Sequence, residues 1–255
     1  MGDIDGVSVQ ATATTFSVIE ALRDRHRAGV TELATELGRS KSAVHNHLDT
    51  LVTLGYVRRT EEGYTLTHEF LRLGLAMREQ SPVYAASKAE LRTLARTTGE
   101  LVNLVIPEAD HGIYLHRVGN GEHPIPEGGQ VALHASAAGK AILAFREYDA
   151  VDMYVENHGL SAITDRTVTD PETLRSELRS IRDQRIAFDR GEQTPDWQCV
   201  ASPIVVGTEP IAAISVSGPA DRMRGKRLEE DVTGLVVSTA KAIELELLDS
   251  SDVES

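Results

Sequence analysis

Chemistry is concentrated in a few short runs of the chain. In KSAVHNHLDTL the apolar residues Val44, Leu48 and Leu51 recur at helical spacing, so Lys41, Ser42, His45, Asn46 and Asp49 take the opposite face. Most of these are short hydrogen-bonding side chains, the kind that reach base edges in a major groove. Ser40 stands one residue earlier and reads as the helix cap. Arg58 and Arg59 follow on a strand-like arm, where they can meet a phosphate backbone. From residue 39 to 59, Arg39, Lys41, Arg58 and Arg59 face a single acid, Asp49, in a chain of formal net charge −13. That local reversal points to double-stranded DNA. A solvated basic edge on a winged helix that binds only protein has the same composition.

A second set of polar residues lies in the other half of the chain. Ser215 and Ser217 alternate within a strand-like run and so share a face, where buried hydroxyls need partners. Ser136 can cap a helix that begins Ala137-Ala138-Gly139, with almost no side-chain bulk. Exposed backbone N–H groups there favour an anion, though on this element alone close packing of helix on sheet is the favoured reading. Cys199, the only cysteine, is either a small buried hydrophobe or, in an enzyme, a nucleophile with a histidine as base. Nothing beyond the presence of those residues supports the enzyme. No metal spacing or phosphate loop is present, and His45 and His47, two apart, point to different helix faces. No cofactor is expected.

The elements that position these residues can be read in order. Residues 1–12 lack periodicity and read as a flexible tail. A support helix follows from Thr14, with Phe16, Ile19 and Leu22, joined by Val18, on one face and Gly29 at its end. Thr31 reads as the cap of a short helix carrying Leu33, Ala34 and Leu37, and Gly38 makes the turn into the Ser40 helix. After Gly55 come Tyr56–Arg59, a turn at Glu61-Glu62-Gly63, and Tyr64–Thr67, a hairpin. Residues 13–67 thus form a winged helix-turn-helix. Residues 68–82 read as a linker helix with a wide apolar arc (Phe70, Leu71, Leu73, Leu75, Met77), broken at Pro82. Such a helix connects domains rigidly, packs on a partner chain, or simply ends the first domain.

Residues 83–249 mix helices with strands near 101–107, 112–118, 186–190, 197–206 and 210–217, an α+β domain. Residues 119–130, GNGEHPIPEGGQ, must be a loop, either a lid over a pocket or a plain connector. A helix runs on from Ala137 through Ala144 and from Glu147 to Asn157, and another starts at Pro171 and buries Leu174, Leu178 and Ile181. A last long helix covers about 226–248, and 250–255 is a tail.

The 255 residues fit about two domains. No apolar run approaches the ~18–20 residues that span a bilayer and no leader is evident, so no membrane partner and a cytoplasmic location are expected. A single cysteine fits a reducing compartment. Lysine is confined to Lys41, Lys88, Lys140, Lys226 and Lys241, while acids number 39 against 26 bases. An acid-rich, lysine-poor surface suits a halophilic cytoplasm. Salt weakens phosphate contacts steeply, which shifts weight to base contacts and to avidity from oligomers.

The whole chain, over about residues 14–248, resembles the IclR family of transcriptional regulators. The resemblance rests on SKSAVHNHLDTL with LGYVRR, on LHASAAGKAILA (133–144), and on DRGEQTPDWQCVASPI with AAISVSGP (189–204 and 212–219). It implies a winged helix-turn-helix joined by a linker helix to a GAF-like effector-binding domain, and a homodimer or homotetramer. It implies a small-molecule effector, an organic, sugar-derived or aromatic acid. The family's ligand-contacting positions fall on Ala137, Ala138, Asp189, Cys199, Ser215 and Ser217, with Val131 and His123 as looser candidates. Two departures stand out. Asp196 and Trp197 replace a glycine and an aliphatic residue common in the family, and Asn46 stands where a basic residue is frequent.

Overall fold

The computed structural model describes residues 7–252 and divides the chain into two compact units, one ending at Gln80 and the other starting at Ser81. The first contains α1 (Gln10–Arg25), α2 (Val30–Glu36), α3 (Lys41–Thr53), the strands β1 (Val57–Thr60) and β2 (Gly63–Leu66), and α4 (Glu69–Glu79). Val18, Leu22, Leu33, Val44, Leu48, Leu51, Val57 and Tyr64 form its core, each large apolar side chain contributing roughly 1.5–3 kcal/mol on burial. Ser40 Oγ accepts from Ala43 N at 3.2 Å and fixes the start of α3. Antiparallel β1 and β2 pair Arg58 with Thr65 and Arg59 with Tyr64, and Tyr64 also bridges to Ala28. Gly63 is required at that crossing: its φ is 131°, and a Cβ would lie 2.7 Å from the Ala28 carbonyl oxygen.

Three local expectations change. Helix α1 begins at Gln10, so residues 10–12 are helical; the part of the expected tail before residue 7 lies outside the described residues. Gly29, not Thr31, precedes the first turn of α2, and the Glu32 carboxylate accepts the Gly29 N–H at 2.7 Å. Phe16 is 59% exposed, because Val18 and Leu22 point into the core instead.

The second unit contains α5 (Pro82–Thr98), β3 (Leu101–Glu108), β4 (His111–Val118), β5 (Gln130–Ala132), α6 (Ala137–Leu143), α7 (Tyr148–His158), α8 (Pro171–Gln184), β6 (Ala187–Asp189), β7 (Trp197–Val206), β8 (Glu209–Pro219), a π-helical stretch at Arg227–Val232 and α9 (Thr233–Asp252). The strands form one antiparallel sheet in the order β5-β4-β3-β8-β7-β6. Alternation along the strands sends Val102, Leu104, Val200, Ile214 and Val216 to a layer with α5 and α9. It sends Val105, Ala201 and Ala213 to an opposite layer with α6, α7 and α8. Strand β5, which starts at the last residue of the glycine- and proline-rich run and continues to Ala132, is not among the expected strands; its three residues are too few to show a period. The helix read from Ala137 to Asn157 is two helices, interrupted at 144–147. At the C-terminus, residues 250–252, expected as tail, continue α9.

Candidate functional sites

The outward face of α3 presents Lys41, Ser42, His45, Asn46 and Asp49, all exposed. His45 Nδ1 lies 3.1 Å from Asp49 Oδ2, one helical turn on. Ser40 is committed to its cap and stands 3.1 Å from the Ser42 hydroxyl. His47 is not on this face: it is half-buried with Nδ1 at 2.9 Å from Thr15 Oγ1. Arg58 and Arg59 are exposed on β1, and no carboxylate among the described residues pairs with them or with Lys41. The arrangement is a helix with a hydrogen-bonding edge beside a two-stranded wing with free cations.

In the second unit, the register of the sheet gathers the other polar residues into two adjacent rows beneath α6. One row runs Arg117, Asn103, Ser215, Ala201, Ala187; the next runs Leu101, Ser217, Cys199, Asp189. Asn103 Nδ2 donates to Ser215 Oγ at 3.2 Å and to Ser217 Oγ at 3.0 Å. Its Oδ1 accepts from Arg117 Nε at 2.6 Å. The hydroxyls therefore have partners, as buried hydroxyls must.

Asp189 is buried at the last strand. Its Oδ1 accepts the backbone N–H groups of Gly191, Glu192 and Gln193 at 3.0, 2.6 and 3.4 Å, leaving Oδ2 without a partner among the described residues. Burial pushes its carboxyl up to about 6, opposed by those N–H groups and by Lys140. Cys199 is buried, and burial with the nearby Asp189 charge raises its thiol well above the usual range. A thiol so raised is a poor nucleophile.

Residues 119–129 fold over this face. His123 packs edge-on to Tyr114 at 5.2 Å and to Trp197 at 4.9 Å between ring centroids, and the Arg117 guanidinium sits 4.8 Å over the Tyr114 ring. Burial, with Arg117 nearby, lowers His123 to about 4 and keeps it neutral. Arg117 Nη1 donates to the Ile125 carbonyl at 2.7 Å, tying the loop down. The loop therefore packs onto this face.

Ala137 and Ala138 are buried against the same cluster as Cys199 and Val131. Gly139 behind them serves packing, since a Cβ there would lie 2.4 Å from the Leu133 carbonyl oxygen. One buried group escaped the reading of the sequence. Lys140 is fully buried, with Nζ at 2.6 Å from Glu177 Oε1 and 2.7 Å from Glu192 Oε1. Glu192 is itself raised to about 7, chiefly by burial. The signal was a lone lysine inside the apolar run AAGKAILA. Asn103 and Arg117 were also missed; the signal for Asn103 was an amide inside LVNLVI.

Comparison with known sequences decides the family. The profile described as "Bacterial transcriptional regulator IclR C-terminal" matches residues 76–245, and that of the IclR helix-turn-helix domain matches 12–61. The chain belongs to the IclR family. Among its relatives, the HTH-type transcriptional regulator KdgR of Escherichia coli K12 is 31% identical over 92% of this chain and 91% of its own. The crystal structure of IclR from Thermotoga maritima superposes with a TM-score of 0.77 at 26% identity, over 93% of this chain and 97% of that one. An IclR homologue from Microbacterium hydrocarbonoxydans, complexed with 4-hydroxybenzoate, shares the fold at TM-score 0.81 and 21% identity, over 94% of this chain and 99% of that one. The IclR profiles describe DNA-binding regulators with a C-terminal effector domain, and the relatives are regulators and not enzymes. Among the described residues no helix is long and apolar enough to cross a membrane.

Proposed function

We propose that this IclR-family regulator reads double-stranded DNA with α3 and its wing, and that a small organic acid bound on the polar face of the second unit controls it. Lys41, Ser42, His45 and Asn46 meet bases and neighbouring phosphates, Ser40 sets the start of the helix, and Arg58 and Arg59 meet phosphates. The effector lies against Asp189, Cys199, Ser215 and Ser217, with Ala137 and Ala138 above it. The observation that carries this reading is the pair of polar rows, which ends in a buried aspartate whose Oδ2 has no partner among the described residues. The 4-hydroxybenzoate complex of the Microbacterium homologue supports an acid in this fold.

The protein works as a homodimer or a pair of dimers. No residue of α4 is buried among the described residues, and Leu71, Leu73, Leu75 and Met77 are exposed on it. A second copy covering that stripe gives two winged helices for two half-sites. Its place is the cytoplasm, and its excess of acids fits a salty one. The test is thermal stability of the whole protein with sugar acids, aromatic acids and small keto acids, at low and molar salt. A ligand ~100-fold above its Kd adds about 2.7 kcal/mol. A panel without any stabilising acid contradicts the reading.

A further inference from the structure

Arg117 is a half-buried cation that forms no ion pair among the described residues. Its Nε and Nη1 go to neutral acceptors, Asn103 Oδ1 and the Ile125 carbonyl, and its Nη2 is closed off from solvent with no partner among the described residues. Glu127 accepts the Arg117 backbone N–H at 2.7 Å and its charge favours the guanidinium from nearby without bonding to it. No carboxylate among the described residues forms an ion pair with that guanidinium. A buried guanidinium nitrogen left without a partner is costly, and a guanidinium fork is suited to a carboxylate. Its surroundings place it at the polar face: Tyr114 under it is influenced by both Arg117 and Asp189.

We propose that Arg117 is the anion anchor of the effector site, taking the ligand carboxylate through Nη2 while Asp189, on the far strand of the same face, takes a ligand hydroxyl through Oδ2. The inference rests on the reading of that face as the effector site and names the ligand's class, a hydroxylated monocarboxylic acid. One cation at one end and one acid at the other disfavour a dicarboxylate, whose second charge would meet Asp189. The same guanidinium clasps the loop at Ile125, so the loop must lift for an anion to reach Nη2 and closes over it afterwards.

The experiment uses the full chain and its single tryptophan, Trp197, which lies against His123 in the covering loop and reports locally by fluorescence. Probes are 4-hydroxybenzoate, D-gluconate and glycolate, each with its neutral amide, and succinate as the dicarboxylate. The expected result is that at least one hydroxy acid changes Trp197 emission and raises Tm, while its amide and succinate do not. Arg117→Met then weakens that acid by at least ~30-fold, and Arg117→Lys, which keeps the charge without the fork, weakens it less. Arg117→Met remains folded with an unliganded Tm no lower than that of Arg117→Lys. If an acid binds wild type and Arg117→Met alike while Asp189→Asn loses it, the anchor is wrong and the effector face stands. Equal binding of acid and amide also overturns the anchor. If no acid binds wild type, both readings fall.

Discussion

Tyr114 and Arg117 are three residues apart on β4, yet both face α6, with the guanidinium 4.8 Å over the phenol ring. Strict alternation would put them on opposite faces of the sheet. The register between β3 and β4 shifts between Leu104 and Val105, so that Asn103 opposes Arg117 while Val105 opposes Tyr114. A bulge adds a residue to one strand and re-aims the side chains beyond it. Here it brings a cation onto the face that carries the Ser215 and Ser217 hydroxyls, the Asn103 amide and Asp189.

The buried lysine is the most sensitive point of the second unit. Lys140→Met leaves Glu192 buried without its cation and is expected to cost about 3–5 kcal/mol in urea unfolding. Adding Glu192→Gln recovers part of that loss. Glu177→Gln alone costs less, since its side chain is 31% exposed. Equal effects of Glu177→Gln and Lys140→Met would contradict this ordering.

Asp189 makes stability fall as pH rises. Its folded value, about 6, lies above the ordinary 3.8. Between those values the folded chain holds a proton the unfolded chain has lost, so this group's contribution declines from pH 4 to 6. Asp189→Asn removes that decline. The variant's stability relative to wild type rises across this window by on the order of 2–3 kcal/mol. A flat difference would mean that Asp189 ionises normally.

His123 works in the opposite sense. Its folded value of about 4 lies below the ordinary 6.5, so falling pH protonates the unfolded chain first and lowers stability between pH 6.5 and 4. Imidazolium quenches a neighbouring indole, so Trp197 emission in the folded protein is expected to stay level to about pH 5 and drop near 4. A midpoint near 6.5 would place His123 in solvent.

Arg58→Ala and Arg59→Ala are each expected to weaken binding to a duplex selected from a random pool. Each should reduce the salt slope of log K by about 1, read by anisotropy from 50 to 200 mM salt. An unchanged slope removes that arginine from the phosphate contacts. For the oligomer, Leu71→Glu with Leu75→Glu is expected to halve the mass by light scattering. An unchanged mass moves the interface off α4.

The order of elements was legible because long amphipathic segments declare their period, as with Val44, Leu48 and Leu51 or Leu174, Leu178 and Ile181. Ser215 and Ser217 were legible because hydroxyls at alternate strand positions share a face. Arg117 was not: alternation assigns it the wrong face, and only the bulge, a matter of pairing between strands, corrects it. Lys140 reads locally as a surface residue, and the carboxylates that permit its burial are 37 and 52 residues away. Phe16 was misplaced because several faces of α1 carry apolar residues, and the core selects Val18 and Leu22.

The most direct test of metabolite control measures the affinity of the selected duplex by anisotropy, with wild type and Asp189→Ala, in the absence and presence of each hydroxy acid. Control through the Asp189 face requires that one acid change the wild-type affinity by about 5-fold or more and leave that of Asp189→Ala unchanged. The same affinity with every acid, or a change that persists in Asp189→Ala, would contradict it.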